Sequence, residues 1–361
     1  MINVTKPFLP DIEEYITYVR GIWDRNWLTN NGPLVNDLEL RLKEYLNVKH
    51  LLYLGNGTIA LQIAIKALGL TGEIITTPFS YVATTTAIAW EGCEPVFADI
   101  DKDTFNIDPA KIEQAITNKT TGILATHVFG NPCDIDAIQK IADKHNLKVI
   151  YDAAHCFGTQ FKGKSVYNYG DISTASFHAT KLFHTIEGGA VMTNNADLLK
   201  KMAYMRNFGH ETAETFAGVG INGKNSEFHA AMGLANLRHI EAIQQSRKDQ
   251  AAMYDKELAG LRVKRPKIQA NSVWNHSYYP VVFETEELLL RSITELNDNW
   301  IYPRRYFYPS LSGLNYVKKY AVPVSDDVCR RVLCLPLFYE LENDQVKRIC
   351  QIIGHVLRFK S

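Results

Sequence analysis

After residue 50, short apolar runs alternate with stretches whose apolar positions recur every three or four residues. Residues 51–54 predict a strand, 55–58 a turn, and 59–70 a helix with Gly69 as its C-cap. The pattern then repeats: strand 73–77 ended by Pro78, helix 82–90, strand 95–98, helix 109–116, strand 122–126, helix 135–145 and strand 148–151. Two more β-prone runs, 172–177 and 190–193, are joined by a polar connection. This strand–helix rhythm predicts an α/β fold: a mainly parallel sheet covered by helices on both faces. Upstream, residues 11–23 and 36–46 predict helices, separated by a loop that ends in Gly32-Pro33. From Asp197 the pattern is helical, then broken over 207–225 by a Gly-rich polar stretch too long for a simple connector. Residues 226–245 predict a further helix. Beyond about residue 250 come a helix, a strand over 277–283, a helix over 286–296, a strand over 332–335 and a last helix from 344. We therefore expect a large domain over residues 1–245 and a small C-terminal α+β domain over 246–361.

Charge narrows the function. Lys plus Arg (39) equals Asp plus Glu (39), which leaves no electrostatic footprint for nucleic acid or an anionic membrane. No apolar run approaches the length of a membrane span, and residues 1–7 lack the apolar core of a signal peptide. The six cysteines are scattered without a Cys-x-x-Cys pair, as in a cytoplasmic protein with reduced thiols. The histidines show no metal-ligand spacing, so no metal is expected.

Ligands of such sheets bind at the carboxyl ends of the strands. Gly57, Tyr81, Asp152 and Lys181 fall near those ends. Lys181 alone is first a solvated lysine. In a low-dielectric cleft, however, it loses proton affinity, and its neutral amine can form a Schiff base with an aldehyde. Asp152 alone is a helix or turn cap. Together with Lys181 it is the carboxylate that a pyridinium nitrogen needs, the pairing that makes pyridoxal phosphate an electron sink. His155 is either a core histidine or a contact to the cofactor ring or its phenolic oxygen. Gly57-Thr58 open a helix whose N-terminus suits a phosphate, and Ser176 can add a hydroxyl. Tyr81 either stacks on the ring or belongs to a core or interface. Gly55-x-Gly57-x-x-Ala60 also matches a dinucleotide fingerprint. Its acidic partner would be Glu73, which begins the next strand instead of ending it, and this counts against nicotinamide.

The order and spacing of several motifs carry more than any one of them. They include Trp27-Leu28-Thr29 with Gly32-Pro33, Asn56-Gly57-Thr58-Ile59-Ala60-Leu61, and Pro78-Phe79-Ser80-Tyr81-Val82-Ala83-Thr84. Next come Pro95-Val96-Phe97-Ala98-Asp99-Ile100, Asp152-Ala153-Ala154-His155, Ser176-Phe177-His178 with Lys181, and Glu187-Gly188-Gly189-Ala190. The last are Gly220-Ile221-Asn222, Ala230-Ala231-Met232-Gly233-Leu234 and Leu335-Pro336-Leu337. The chain thereby resembles, over essentially its whole length, the DegT/DnrJ/EryC1/StrS sugar aminotransferases among the fold-type I pyridoxal-phosphate enzymes. The resemblance implies an aspartate-aminotransferase-like fold with a seven-stranded sheet.

It also implies roles. Lys181 matches the Schiff-base lysine, Asp152 the partner of the pyridine nitrogen, and His155 the neighbour of the phenolic oxygen. Gly57, Thr58 and Ser176 match phosphate-binding positions, and Tyr81 the aromatic that stacks on the ring. Asn222 matches an asparagine reaching the phosphate from a partner subunit, which implies a homodimer with shared sites. Many relatives carry Arg-Met where this chain has Lys224-Asn225, so Lys224 keeps a cation without the planar fork. The implied reaction moves an amino group from L-glutamate to a nucleotide-linked keto sugar. Residues 4–10 and 207–225 are most similar to members that convert dTDP-4-dehydro-6-deoxyglucose to dTDP-4-amino-4,6-dideoxyglucose, for an O-antigen or other surface glycan. Amination at carbon 3 is the nearest alternative. A nicotinamide oxidoreductase and a non-catalytic binding protein are the alternatives from other classes. Arg304, Arg305 and Tyr306 form a polar-aromatic stretch expected to meet the sugar nucleotide through its diphosphate.

Overall fold

The structure, a computed structural model, describes residues 1–358. Seven strands form the central sheet: β1 (His50–Leu54), β2 (Glu73–Thr76), β3 (Glu94–Phe97), β4 (Thr120–Thr126), β5 (Lys148–Asp152), β6 (Ile172–Ser176) and β7 (Gly189–Thr193). Their order in space is β1-β7-β6-β5-β4-β2-β3. The pairings from β6 to β3 are all parallel. Only β7 is reversed, antiparallel to both β1 and β6.

Helices cover both faces, so the strands are apolar on both sides. Side chains alternate between two cores with the period of a strand. Val149 and Tyr151 enter one core with Leu38, Ile123 and Ile138. Ile150 enters the other with Leu61, Ile65, Leu124 and Val191. β7 begins beside the ends of its neighbours: its first residue, Gly189, is in register with Leu54 on one side and Ser176 on the other.

The expected helix over 226–245 is two helices, Glu227–Leu237 and Ile240–Glu257. Between them the Arg238 and His239 amides donate to carbonyls three residues back, a tight turn that ends the first helix. The second helix runs straight through the expected boundary at 245/246. Its Ile240 and Ile243 belong to the large core, while Ala251 and Tyr254 belong to the core of the small unit. The N-terminus also departs from the expected division. Ile2–Asn3 pairs with Ile301–Tyr302, and Ile2 packs in the small unit's core.

The small unit is built on the antiparallel strands Val263–Lys264, Tyr279–Phe283 and Val332–Leu335. The two units are tied together by Asp99, whose carboxylate accepts from the Val324 and Ser325 amides at 2.9 Å each. The 207–225 stretch is not irregular throughout: Asn207 bridges Asn222, and His210 bridges Phe216. Among the described residues no helix is long and apolar enough to cross a membrane.

Candidate active site

The connection from β6 to β7 carries Lys181. It leaves and re-enters the sheet on adjacent strands and is closed at its base by Phe177 N donating to Gly188 O at 2.7 Å and Thr185 N to Phe177 O at 2.9 Å. Phe177, Leu182 and Phe183 are buried beneath it. The backbone of Lys181 is thereby held, and its amine points into a cavity, with Nζ 3.5 Å from the Tyr278 hydroxyl. Burial depresses the amine's pKa; the carboxylate of Asp152 pushes the other way.

That cavity has a volume of about 340 Å³. It brings together Gly57, Thr58, Tyr81, Asp152, His155, Ser176 and Lys181 from four segments of the chain, and Arg304 and Tyr306 join them from the small unit. Asp152, the last residue of β5, accepts from Thr84 Oγ1 at 2.7 Å and from the Ala154 amide at 3.2 Å. Burial raises its pKa, while Thr84, Ala154 and the charge of Lys181 lower it. His155 is buried too, and its pKa lies well below the usual imidazole range. Its ring stacks on Phe307 and meets Tyr278 edge-on, and its Nδ1 has no hydrogen-bond partner among the described residues.

The turn at Asn56-Gly57 is tight against the sheet. The Asn56 side chain caps the helix Gly57–Ala67 by accepting from Ile59 N at 2.9 Å. The amides of Gly57 and Thr58, first in that helix, have no place in its hydrogen-bond ladder. A Cβ at Gly57 would come within 2.9 Å of Ser176 Cβ, and one at Gly189 within 2.5 Å of the Asn56 carbonyl. Both glycines let the turn lie close against the sheet.

Three residues of the expected set lie outside the cavity wall. Asn222 is exposed on the 207–225 arm. Lys224 donates to Asn207 Oδ1 at 2.7 Å and sits over the Phe208 ring. Arg305, expected to meet the sugar nucleotide, is instead committed within the small unit. It pairs with Glu286 at 2.7 Å, donates to the Arg330 carbonyl at 2.8 Å and stacks on Tyr308.

Several residues of the wall or its support were not singled out from the sequence, among them Thr84, Glu187, His178 and Tyr278. Thr84 and Glu187 lie inside motifs that were, and His178 is the third residue of the lysine motif. His178 Nε2 stands 3.6 Å from Glu187. Tyr278 carries no local signal, because it arrives from the other unit at the start of Tyr279–Phe283.

The sequence matches the DegT/DnrJ/EryC1/StrS aminotransferase family over residues 10–354. The chain belongs to this family. Among DegT/DnrJ/EryC1/StrS relatives, the dTDP-4-amino-4,6-dideoxy-D-glucose transaminase of Shigella dysenteriae is 42% identical over 98% of this chain and 99% of its own. The GDP-perosamine synthase of Vibrio cholerae is 33% identical over 98% of each chain. The solved structure of DesI in the presence of its TDP-sugar product superposes with a TM-score of 0.94 at 33% identity, covering 99% of this chain and 93% of that one. The fold is thus that of the sugar aminotransferases.

Proposed function

We propose that this chain is a pyridoxal-phosphate-dependent aminotransferase that makes dTDP-4-amino-4,6-dideoxy-D-glucose from dTDP-4-dehydro-6-deoxy-D-glucose, with L-glutamate as amino donor. The observation that carries this reading is one cavity in which the Lys181 amine and the buried Asp152 carboxylate share a wall with the N-terminus of the helix Gly57–Ala67. The 42% identity to a transaminase of that name supports the choice of substrate.

The residues present fit pyridoxal phosphate. The Asp152 carboxylate is buried, feels the charge of Lys181 and has no ion pair among the described residues, an arrangement that a protonated ring nitrogen would complete. The unpartnered His155 Nδ1 awaits a polar neighbour. The Gly57 and Thr58 amides and the Ser176 hydroxyl suit the phosphate, and Tyr81 offers a ring face at the cavity mouth. When bound, the cofactor supplies an electron sink that lets the C–H bond beside the donor nitrogen ionise.

The chain's own groups do the rest. Lys181, with its proton affinity lowered by burial, takes that proton at Nζ and returns it. Asp152, aimed by Thr84, keeps the ring-nitrogen proton in place. His155 stays neutral and orients without adding charge. His155, Tyr278 and Phe307 pack ring against ring and give the cavity a firm aromatic wall. Glutamate enters first and leaves as 2-oxoglutarate; the keto sugar then receives the amino group.

Asn222 and Lys224 lie outside the wall of their own chain's cavity, which supports a homodimer in which each arm completes the partner's phosphate site. The helix Ile240–Glu257 is the natural division between a large cofactor-binding unit and a small C-terminal one.

Product analysis by NMR tests the proposal. Purified protein is incubated with pyridoxal phosphate, L-glutamate and dTDP-4-dehydro-6-deoxy-D-glucose, with Lys181→Ala as the control. An amino group at carbon 4, absent from the control, is the expected result. Amination of the 3-keto isomer alone would replace the substrate and keep the chemistry; no amine transfer to either sugar would sink the reading.

A further inference from the structure

Residues 2–8 run between the two sides of the Lys181 cavity. At their start, Ile2–Asn3 pairs with Ile301–Tyr302, and the Ile2 amide donates to the Trp300 carbonyl at 2.8 Å. Two residues beyond Tyr302 the chain enters the cavity wall at Arg304, followed by Tyr306 and Phe307. Val4 packs in one buried cluster with Phe307, and its carbonyl accepts from the Leu337 amide at 3.0 Å. Lys6 pairs with Glu340. The backbone of residues 2–4 and the Lys6 side chain are thus held by the small unit.

The far end is held by the hairpin that carries Lys181. The Phe8 carbonyl accepts from His184 Nε2 at 2.7 Å. Thr5 Oγ1 donates to the carbonyl of Thr180, the residue before the lysine, at 3.4 Å. His184 is only 2% exposed, and its other ring nitrogen, Nδ1, accepts from the Ile186 amide at 3.2 Å. Ile186 has a φ of 68°, in the left-handed region that a β-branched residue enters only at a cost. One ring therefore holds the strained return of the hairpin with one nitrogen and the segment from the small unit with the other. A carbonyl only accepts and an amide N–H only donates, so the pair of bonds requires a neutral ring with its proton on Nε2.

The span matters for the site. Asp152, Ser176 and Gly57 come from the large unit, whereas Arg304 and Tyr306 come from the small one. The width of the cavity is thus a distance between units. From Asn3 to Phe8 the chain advances five residues, which limits its reach to about 18 Å even when fully extended. The hairpin at one end is closed at its base by backbone hydrogen bonds, so it is the fixed post.

We propose that residues 2–8 are a positioning strap: anchored on the hairpin by His184, they set how far the small-unit wall at Arg304 and Tyr306 stands from Lys181. The kinetic readout rests on the aminotransferase reading above.

The test is to slacken the strap. Two glycines inserted between Lys6 and Pro7 lengthen it while keeping both anchors. The reaction of the cofactor-loaded enzyme with L-glutamate, followed by cofactor absorbance, should slow by roughly 10- to 100-fold, as misplacement of reacting groups does. Cofactor affinity should stay at the wild-type value, because Asp152, Ser176 and Gly57 do not move. His184→Asn keeps an acceptor near Nδ1 but cannot reach Phe8, and it should resemble the insertion. His184→Gln brings a donor to the Nε2 position and should recover most of the rate. An insertion enzyme as fast as wild type overturns the proposal, and so does a parallel loss of cofactor affinity. Hydrogen exchange needs no turnover and separates this from the reading of the reaction. The Leu337 amide, whose acceptor is the Val4 carbonyl, should exchange faster in His184→Asn, with the amides of β5 and β6 unchanged. No change at Leu337 overturns the strap. Faster exchange there, in a protein whose wild type takes no amino group from glutamate, supports the strap and refutes the reaction.

Discussion

Thr84 Oγ1 donates a 2.7 Å hydrogen bond to Asp152 Oδ2 from the first turn of the helix Val82–Trp90. The hydroxyl is itself held: Ser80 Oγ lies 2.8 Å from Thr84 Oγ1 and 3.1 Å from Thr126 Oγ1. Three hydroxyls thus form a buried chain whose end fixes the orientation of the carboxylate.

Replacing Thr84 tests that relay. Thr84→Val keeps the shape and removes the donor, so the Asp152 pKa rises further and the carboxylate binds a ring cation less well. Cofactor affinity, read by titrating the apoenzyme, should fall by roughly 10-fold, as for the loss of one charge-assisted hydrogen bond. Thr84→Ser should behave like wild type. Equal affinity in Thr84→Val would show that Asp152 does not need this orientation.

At Gly57 the prediction is steric. An added Cβ would meet Ser176 Cβ at 2.9 Å, so Gly57→Ala should push the turn away from β6 and weaken phosphate binding. Cofactor titration of the apoenzyme reads the effect, and Gly57→Ala binding as tightly as wild type would contradict it.

His127 makes stability depend on pH. Burial holds its pKa down to about 3, so the folded protein keeps the ring neutral. In the unfolded chain the same ring takes a proton near about 6.5. Between those values the unfolded state binds more protons, so stability is fully present above pH 6.5 and is lost as the pH falls through the window. His127→Asn removes this site and should lose about 2 kcal/mol less stability between roughly pH 7.5 and pH 5. Urea unfolding at the two pH values measures it; parallel losses in both proteins would contradict the assignment. His155 shifts in the same direction, so some slope remains.

The proposed sharing of sites between subunits predicts complementation. Lys181→Ala and Asn222→Ala homodimers should each be impaired. Subunits exchanged between them should regain about a quarter of wild-type activity, since half of the dimers are mixed and each holds one complete site. Activity that never exceeds that of the parents would place Asn222 outside the partner's site.

Most of the large unit was legible because its elements obey a single period. The strands from β1 to β7 fall within two residues of their expected ends, since both faces are buried and each apolar run ends where a turn begins. The cavity residues were legible for a related reason: strand ends in such a sheet converge, so Asp152 and Ser176 had to meet. What escaped depends on contacts between distant segments. Gln160–Phe161, Lys164–Ser165 and Ser272–Val273 are strands of only two residues, and the pairing of Ser272–Val273 with Gln160–Phe161 joins positions more than a hundred apart. The 226–245 run kept a helical period across the turn at Arg238-His239, so periodicity alone could not divide it. Arg305 looked free because its partners, Glu286 and the Arg330 carbonyl, come together only in the folded small unit.

The reversed strand β7 has a mechanical consequence. Because it returns directly beside β6, the segment bearing Lys181 is clamped at both ends to neighbouring rods of the same sheet. Such a hairpin cannot swing as a lid does. The amine's travel is limited to rotation about the four methylenes of its side chain, a motion that leaves the backbone at rest. Any repositioning of this amine then needs no opening of the scaffold, which serves as one rigid anvil.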